Sequence, residues 1–184
     1  VKILKQLGHD MEFIVLDPVK NLGVREFINR LRRAGSSSPK KPSQKLHALQ
    51  NAYVAMRLMD DIEREAHWRA GFEQNPGECK KLLKQCRKTA YHCEQPEKAL
   101  ELLRCFRADV KKLKLSPDKN PLKIAIIGEI YTVIEPFANL YIEDVLMDLG
   151  ISVSRRLTPS WWVQDMLLKM IRMNSRDLLS ASSE

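Results

Sequence analysis

The sequence predicts an α/β fold that is mostly helical, with parts of two Rossmann-like lobes joined by a long helix and a helical hairpin. The continuous apolar run at 13–16 is typical of a buried parallel strand, and 122–129 returns to strand character. The interval between them has the three-to-four-residue apolar spacing of helices. Segments rich in Pro and polar residues, at 36–42 and 116–121, separate these parts. The predicted organisation is the end of a first α/β lobe at 1–35, a helical linker region at 43–115 and the start of a second α/β lobe at 121–184.

The first predicted lobe has the order of elements expected at the end of an α/β domain. An amphipathic helix over 1–8, a buried strand at 13–16 and a helix over about 21–33 follow one another. Because the first element is a helix leading into a strand and the first residue is Val1, we expect the chain to be an internal piece of a longer protein.

The linker region is predicted to hold three helices. Ser43 is placed to cap a long helix that extends to about residue 72. Two further helices, over 78–92 and 96–115, should pair as an antiparallel hairpin, and Pro96 suits a first turn because it has no amide hydrogen to lose there. The long helix should bury one apolar stripe, made of Leu46, Leu49, Tyr53, Met56, Met59, Ile62 and Ala66.

The second predicted lobe repeats the strand and helix alternation. A strand at 122–129, a helix at 138–149 and a strand at 151–153 form a β-α-β order, which predicts parallel strands with a right-handed crossover. A last helix is expected over 161–173.

Composition indicates an ordinary globular protein, with 44% hydrophobic and 29% charged residues in 184. No apolar run approaches the roughly 20 residues that a membrane span needs, so we expect no membrane contact and a cytoplasmic location. Four cysteines without a Cys-x-x-Cys pair favour reduced thiols over a disulfide framework.

The cysteines have a spacing that suggests a metal site and a geometry that opposes one. Cys79, Cys86 and Cys93 recur every seven residues, but seven residues of helix rise about 10.5 Å, whereas two thiolates on one metal ion are at most roughly 4.6 Å apart. Cys86 and Cys105 lie at similar distances from the expected hairpin turn, but two thiols make no complete site. We therefore expect no metal ligands and free, buried thiols.

The histidines and the glycines supply no recognisable chemistry. His9, His47, His67 and His92 show no metal spacing and no arrangement of a catalytic triad. The chain also has none of the glycine-rich loops that commonly bind nucleotide phosphates. No catalytic residue is assigned.

Positive charge is concentrated on the predicted hairpin. Residues 79–123 hold 13 Lys or Arg against 5 Asp or Glu, a net charge of +8, which equals the net charge of the whole chain. Such a surface attracts nucleic acid, an acidic partner or the phosphates of coenzyme A, or is simply a solvated face of two helices. With only Tyr91 and Phe106 as aromatics there, base stacking has little support and nucleic acid is disfavoured.

The segment 126–139 is the most informative part of the sequence. It is a buried strand opening into a loop, and ligands of open α/β sheets gather at the carboxyl ends of strands. A glycine, a carboxylate, a hydroxyl and an amide follow the strand, although turn formation and helix capping would use the same residue types. The candidate pocket residues are Gly128, Glu129, Tyr131, Pro136, Phe137 and Asn139.

Gly-Glu-Ile-Tyr at 128–131 followed by Glu-Pro-Phe-Ala-Asn at 135–139 resembles the signature that opens the second lobe of CoA protein activases, relatives of the 2-hydroxyacyl-CoA dehydratases such as 2-hydroxyglutaryl-CoA dehydratase components. The segments at 13–18 and 25–31 resemble the end of their first lobe. The resemblance implies a two-lobed protein of anaerobic acyl-CoA dehydration. It also implies a [4Fe-4S] cluster between the lobes and, as partners, acyl-CoA and an ATP-dependent activator or dehydratase subunit.

The resemblance implies less for this chain than for a whole family member. The cysteine-bearing loops would be expected before Val1 and after Met173, and none of the four cysteines present matches them, so we expect no cofactor in this piece and no activity from it alone. The alternative is a non-catalytic binding or scaffold module that uses the basic helices. A third hypothesis makes those helices a spacer between two lobes.

Overall fold

The computed structural model of the chain describes residues 2–8 and 24–181. In chain order its elements are α1 (Lys2–Gln6), α2 (Val24–Ala34), α3 (Pro42–Ala70), α4 (Glu78–Tyr91), α5 (Pro96–Lys112), β1 (Lys123–Ile126), α6 (Ile130–Ile134), α7 (Ile142–Asp148), β2 (Ser152–Arg155) and α8 (Pro159–Ala181).

Helices predominate, and a two-stranded parallel sheet accompanies them, so the prediction of a mostly helical α/β chain is confirmed in its broad form. Its finer part, the two Rossmann-like lobes, stays a prediction. The strand predicted at 13–16 lies outside the described residues. The chain forms two compact units, one made of Val1–Lys45 with Gln164–Glu184 and the other of Leu46–Val163, which we call the central unit.

The long helix α3 begins two residues earlier than a cap at Ser43 predicts. Pro42 occupies the first helical position, where its missing N–H costs nothing, so Ser43 lies inside the first turn and is not the cap. Instead, the side-chain carbonyl of Gln44 accepts a hydrogen bond of 3.0 Å from the N–H of Lys41, which is the return half of a capping box.

Only the second half of the predicted α3 stripe is core. Ile62 and Ala66 are completely buried, whereas Leu46 and Leu49 are exposed. The reason is that the core of the central unit forms between the later turns of α3 and the hairpin α4–α5. Its buried members are Leu58, Ile62, Ala66, Ala70, Cys79, Leu83, Cys86, Leu100, Leu103, Val110 and Met147.

The predicted hairpin is confirmed, since α4 and α5 pack against each other and Pro96 starts α5. A feature that was not predicted fixes the backbone at the start of this hairpin. Glu73 is buried, and its carboxylate accepts hydrogen bonds from the N–H groups of Gly77 and Cys79, the latter at 2.8 Å. These amides belong to the start of α4, where a carboxylate is favoured by the helix dipole.

The predicted parallel β-α-β order is present, with Ile126 of β1 opposite Arg155 of β2. The prediction of a buried first strand is wrong, because the residues of β1 alternate between exposed and half-buried. The connection differs from the single helix predicted over 138–149, because it holds two short helices, α6 and α7. Pro136 cannot donate to a helix, and Leu140 and Tyr141 have positive φ angles of 57° and 55°, so the chain is non-helical between them.

Gly71, just after α3, is where the helical part of the central unit meets the sheet. A Cβ atom on this residue would lie 2.8 Å from both Pro121 Cβ and the backbone N of Ser152, so only glycine permits the approach. The Ser152 hydroxyl also donates to the carbonyl of Trp68 at 2.9 Å. Among the helices of the described residues, none combines the length and apolarity that crossing a membrane requires.

Candidate functional site

The loop after β1 carries the residues singled out from the sequence. Gly128 lies against α6, since a Cβ there would come within 3.2 Å of Val133 Cγ2. Glu129 is the N-cap of α6, and its carboxylate accepts a hydrogen bond of 3.1 Å from the N–H of Thr132. Backbone hydrogen bonds from Tyr131 and Thr132 lower the pKa of Glu129, so this exposed side chain stays negatively charged at neutral pH.

The other candidate residues divide between the loop interior and its surface. Asn139 donates through Nδ2 to the carbonyl of Val133 at 3.2 Å, and its Oδ1 is buried with no partner among the described residues. It does not cap α7, whose N-cap is Tyr141. Tyr131 and Phe137 point outward, with 64% and 77% of their surface exposed.

Pro136 completes the fold of this loop, because its carbonyl accepts a hydrogen bond of 2.8 Å from the N–H of Tyr141. Glu135 accepts a hydrogen bond of 3.3 Å from the N–H of Phe137. The polar groups of the loop therefore serve largely to hold its backbone, while its aromatic side chains face solvent. Within the central unit the loop is a surface and not an enclosed pocket.

An ion-pair cluster that sequence reasoning missed lies at the same edge of the sheet. Arg155 ends β2 and is only 7% exposed through its side chain. Its Nη1 donates to Glu143 Oε2 at 2.7 Å, and its Nη2 donates to Glu63. Arg87 donates to the other oxygen of Glu63 at 2.8 Å. The cluster thus joins β2, α7, α3 and α4 through charged hydrogen bonds, which are stronger than neutral ones.

His67 completes this cluster from α3. The side chain is buried, its Nδ1 lies 3.3 Å from Glu143 Oε1, and its Nε2 has no partner among the described residues. Burial alone would raise the pKa of Glu143, but the contact with His67 and the charge of Arg155 hold it below its ordinary value. Glu143 is therefore a buried carboxylate.

One sequence signal could have located the cluster. Asp60, Glu63 and His67 recur at helical spacing and share one face of α3. Asp60 is buried and accepts a hydrogen bond of 2.8 Å from the N–H of Ser160. Two arginines balance the two glutamates of the cluster, and no group of three His, Cys, Asp or Glu within the described ranges is suited to hold a metal ion.

The cysteines are free thiols in different environments. Cys79 and Cys86 are buried, Cys93 is half-buried and Cys105 is exposed. Burial raises the pKa of Cys86 to about 11. Burial is the largest cause that raises the pKa of Cys79, and a hydrogen bond with Glu73 raises this pKa further. Both buried thiols are therefore neutral at physiological pH, and neutral thiols are poor nucleophiles.

The basic hairpin is partly neutralised by ion pairs. Lys80 contacts Asp148 at 2.6 Å, and Arg87 and Arg107 pair with acidic side chains of α3. Other cations remain exposed, and a shallow depression of about 700 Å³ lies at the hairpin turn. It is lined by Lys88, Thr89, His92, Cys93, Glu94, Gln95, Lys98 and Leu102.

Comparisons of the chain with protein-family models, with curated proteins and with solved structures find no match.

Proposed function

We propose that the chain is part of a CoA protein activase-like protein of an anaerobic 2-hydroxyacyl-CoA dehydratase system, and that the 128–139 loop contacts the acyl end of the thioester. One observation carries the proposal. The signature residues leave the carboxyl end of β1 in a parallel β-α-β unit, and Tyr131 and Phe137 are exposed there. Ligands of open α/β sheets bind at this edge.

The charges of the loop favour the acyl group over the nucleotide part of coenzyme A. Glu129 and Glu135 would repel phosphates. The ring of Phe137 offers apolar contact to an acyl chain, and the hydroxyl of Tyr131 offers a hydrogen bond to a 2-hydroxyl group. The phosphates would instead be attracted by exposed lysines of the hairpin, such as Lys88.

Iron–sulfur chemistry belongs to the proposal for the whole protein and not to this chain. A [4Fe-4S] cluster is held by thiolates, whereas Cys79 and Cys86 are buried neutral thiols. We therefore expect this chain to retain no stoichiometric iron after anaerobic incubation with iron and sulfide. Cluster ligands and contacts with an ATP-dependent activator would come from other segments.

Amide chemical shifts of the ¹⁵N-labelled chain test the acyl contact. The chain is titrated with a 2-hydroxyacyl-CoA and, in parallel, with free coenzyme A. The proposal predicts that amides of the 128–139 loop shift with the thioester and not with free coenzyme A. It is overturned if the loop amides respond equally to both compounds or to neither.

The alternative is a binding module that uses the basic hairpin, and the exposure of Lys81, Lys84, Lys88 and Lys98 favours it. Shifts confined to α4 and α5 with both compounds would support this function, because they would report phosphate binding alone. For nucleic acid, a filter-binding titration should show affinity that falls steeply as salt rises. If the chain does not associate with nucleic acid at low salt, nucleic-acid binding by the hairpin is excluded.

A further inference from the structure

Helix α7 is apolar on its outer side as well as on its buried side. Leu146 and Met147 lie in the interior. On the outer side Tyr141, Val145 and Leu149, spaced by four residues, form an exposed stripe. A contiguous exposed row of large apolar side chains commonly marks a contact with another molecule. The outer stripe therefore has the character of a contact surface.

The backbone at the start of α7 supports this interpretation. Leu140 and Tyr141 have left-handed φ angles of 57° and 55°, which cost free energy in residues that carry a Cβ. Leu140 is nonetheless 82% exposed, and Leu149 at the far end of the helix is 68% exposed. The central unit thus holds a strained backbone without burying the large apolar side chain of Leu140, which a bound partner would cover.

The chain segment that carries α7 has charged side chains of one sign. The segment 128–150 contains five carboxylates and no lysine, arginine or histidine. Glu143 is paired with Arg155, and Asp148 with Lys80. In the described part of the chain, Glu135 and Asp144 have no ion-pair partner. This sign repels nucleic acid and anionic membranes and attracts cationic protein segments.

The area of the surface suits a short segment. Leu140, Tyr141, Ile142, Val145 and Leu149 form what we call the α7 outer face, and together they expose about 400 Å², taking roughly 150 Å² for each fully exposed side chain of this size. A stable interface between two folded proteins covers roughly 800 Å² on each partner. In a second copy that paired through its own α7 outer face, like charges would oppose each other.

We propose that the α7 outer face binds a cationic amphipathic helix of a partner protein. The apolar stripe of that helix lies against Leu140, Val145 and Leu149, and its lysine or arginine side chains face Glu135 and Asp144. The proposal goes beyond the acyl-CoA function and does not depend on it.

Two synthetic peptides of about 18 residues, long enough to form a helix on binding, test the proposal. Both have leucine on one face, and the opposite face is lysine in one peptide and glutamate in the other. Fluorescence anisotropy of the labelled peptides should show that the lysine peptide binds at least tenfold more tightly, and that added salt weakens it.

Variants then locate the binding. Leu140→Asn removes the apolar side chain at a left-handed position that asparagine tolerates, and should weaken binding of the lysine peptide about tenfold or more. Leu149→Ser should act in the same direction, whereas Leu46→Asn, at an exposed leucine of α3, should leave binding unchanged. Circular dichroism establishes that each variant is folded.

Three results would overturn the proposal. One is equal binding of the two peptides. Another is a variant series that does not locate binding on the α7 outer face: either Leu140→Asn and Leu46→Asn weaken binding equally, or neither Leu140→Asn nor Leu149→Ser weakens it. The third is self-association of the chain in sedimentation equilibrium that Leu140→Asn abolishes, because the occupant would then be a second copy.

Discussion

Replacing Arg155 by methionine should destabilise the central unit by about 3–5 kcal/mol. The arginine donates to two carboxylates, Glu143 and Glu63, whose side chains are themselves nearly buried. Each hydrogen bond to a charged group contributes roughly 1.5–3 kcal/mol. Methionine fills much of the same space, so the loss reports mainly the two carboxylates left close together without their shared cation.

Urea unfolding followed by circular dichroism at 222 nm measures this loss as a lower midpoint with an unchanged dependence on urea. Arg64→Met is the matched control, because its pair with Asp61 is exposed and should be worth under about 0.5 kcal/mol. In the double variant Arg155→Met with Glu143→Gln, the combined loss should fall short of the sum of the single losses. A loss below about 1 kcal/mol for Arg155→Met would show that the two buried carboxylates do not depend on this cation.

Three further predictions follow from single positions. Gly71→Ala should lower the free energy of unfolding by more than about 2 kcal/mol in the same urea assay, because its Cβ would collide with backbone; an unchanged midpoint would contradict this. Because the pKa of Glu143 is lowered in the folded chain, its carboxylate stabilises the fold at pH values above its ordinary pKa of 4.5, and this stability is lost as the pH falls through the folded pKa. The stability of Glu143→Gln should therefore depend less steeply on pH in acid. Iodoacetamide at neutral pH should modify Cys105 in minutes and leave Cys79 and Cys86 unmodified until the chain unfolds, as mass spectrometry of digested samples would show.

Much of the helical architecture could be predicted from local patterns. The position of Pro96 and the helical apolar spacing between the predicted strands were sufficient to predict α4 and α5, because these signals are local. The parallel pairing of β1 with β2 could also be predicted, since two apolar strands with a helical connection rarely arrange otherwise.

The exposed half of α3 could not be predicted in the same way. Leu46 and Leu49 continue the apolar stripe of Ile62 and Ala66, and nothing in the local sequence indicates that the core ends between them. That boundary depends on how far the hairpin extends along α3, which is a property of packing and not of periodicity.

The ion-pair cluster shows the same limit at the candidate site. His67 was given no role because its partners are distant in sequence, with Glu143 on α7 and Arg155 on β2. The helical spacing of Asp60, Glu63 and His67 indicates a polar face, but the arginine that balances it cannot be identified before the fold is known. By contrast, the loop residues Gly128 to Asn139 could be located from the sequence alone, because a strand end is a local feature.

The affinity of a 2-hydroxyacyl-CoA for the chain and for two aromatic variants tests the central claim most directly. Tyr131 lies in the proposed acyl-contacting loop, whereas Tyr91 is at least as exposed and lies on the basic hairpin. We expect Tyr131→Ala to weaken binding about tenfold or more, which is roughly 1.4 kcal/mol, and Tyr91→Ala to leave it unchanged. Equal affinities for the wild type and Tyr131→Ala, or a loss caused only by Tyr91→Ala, would contradict this expectation.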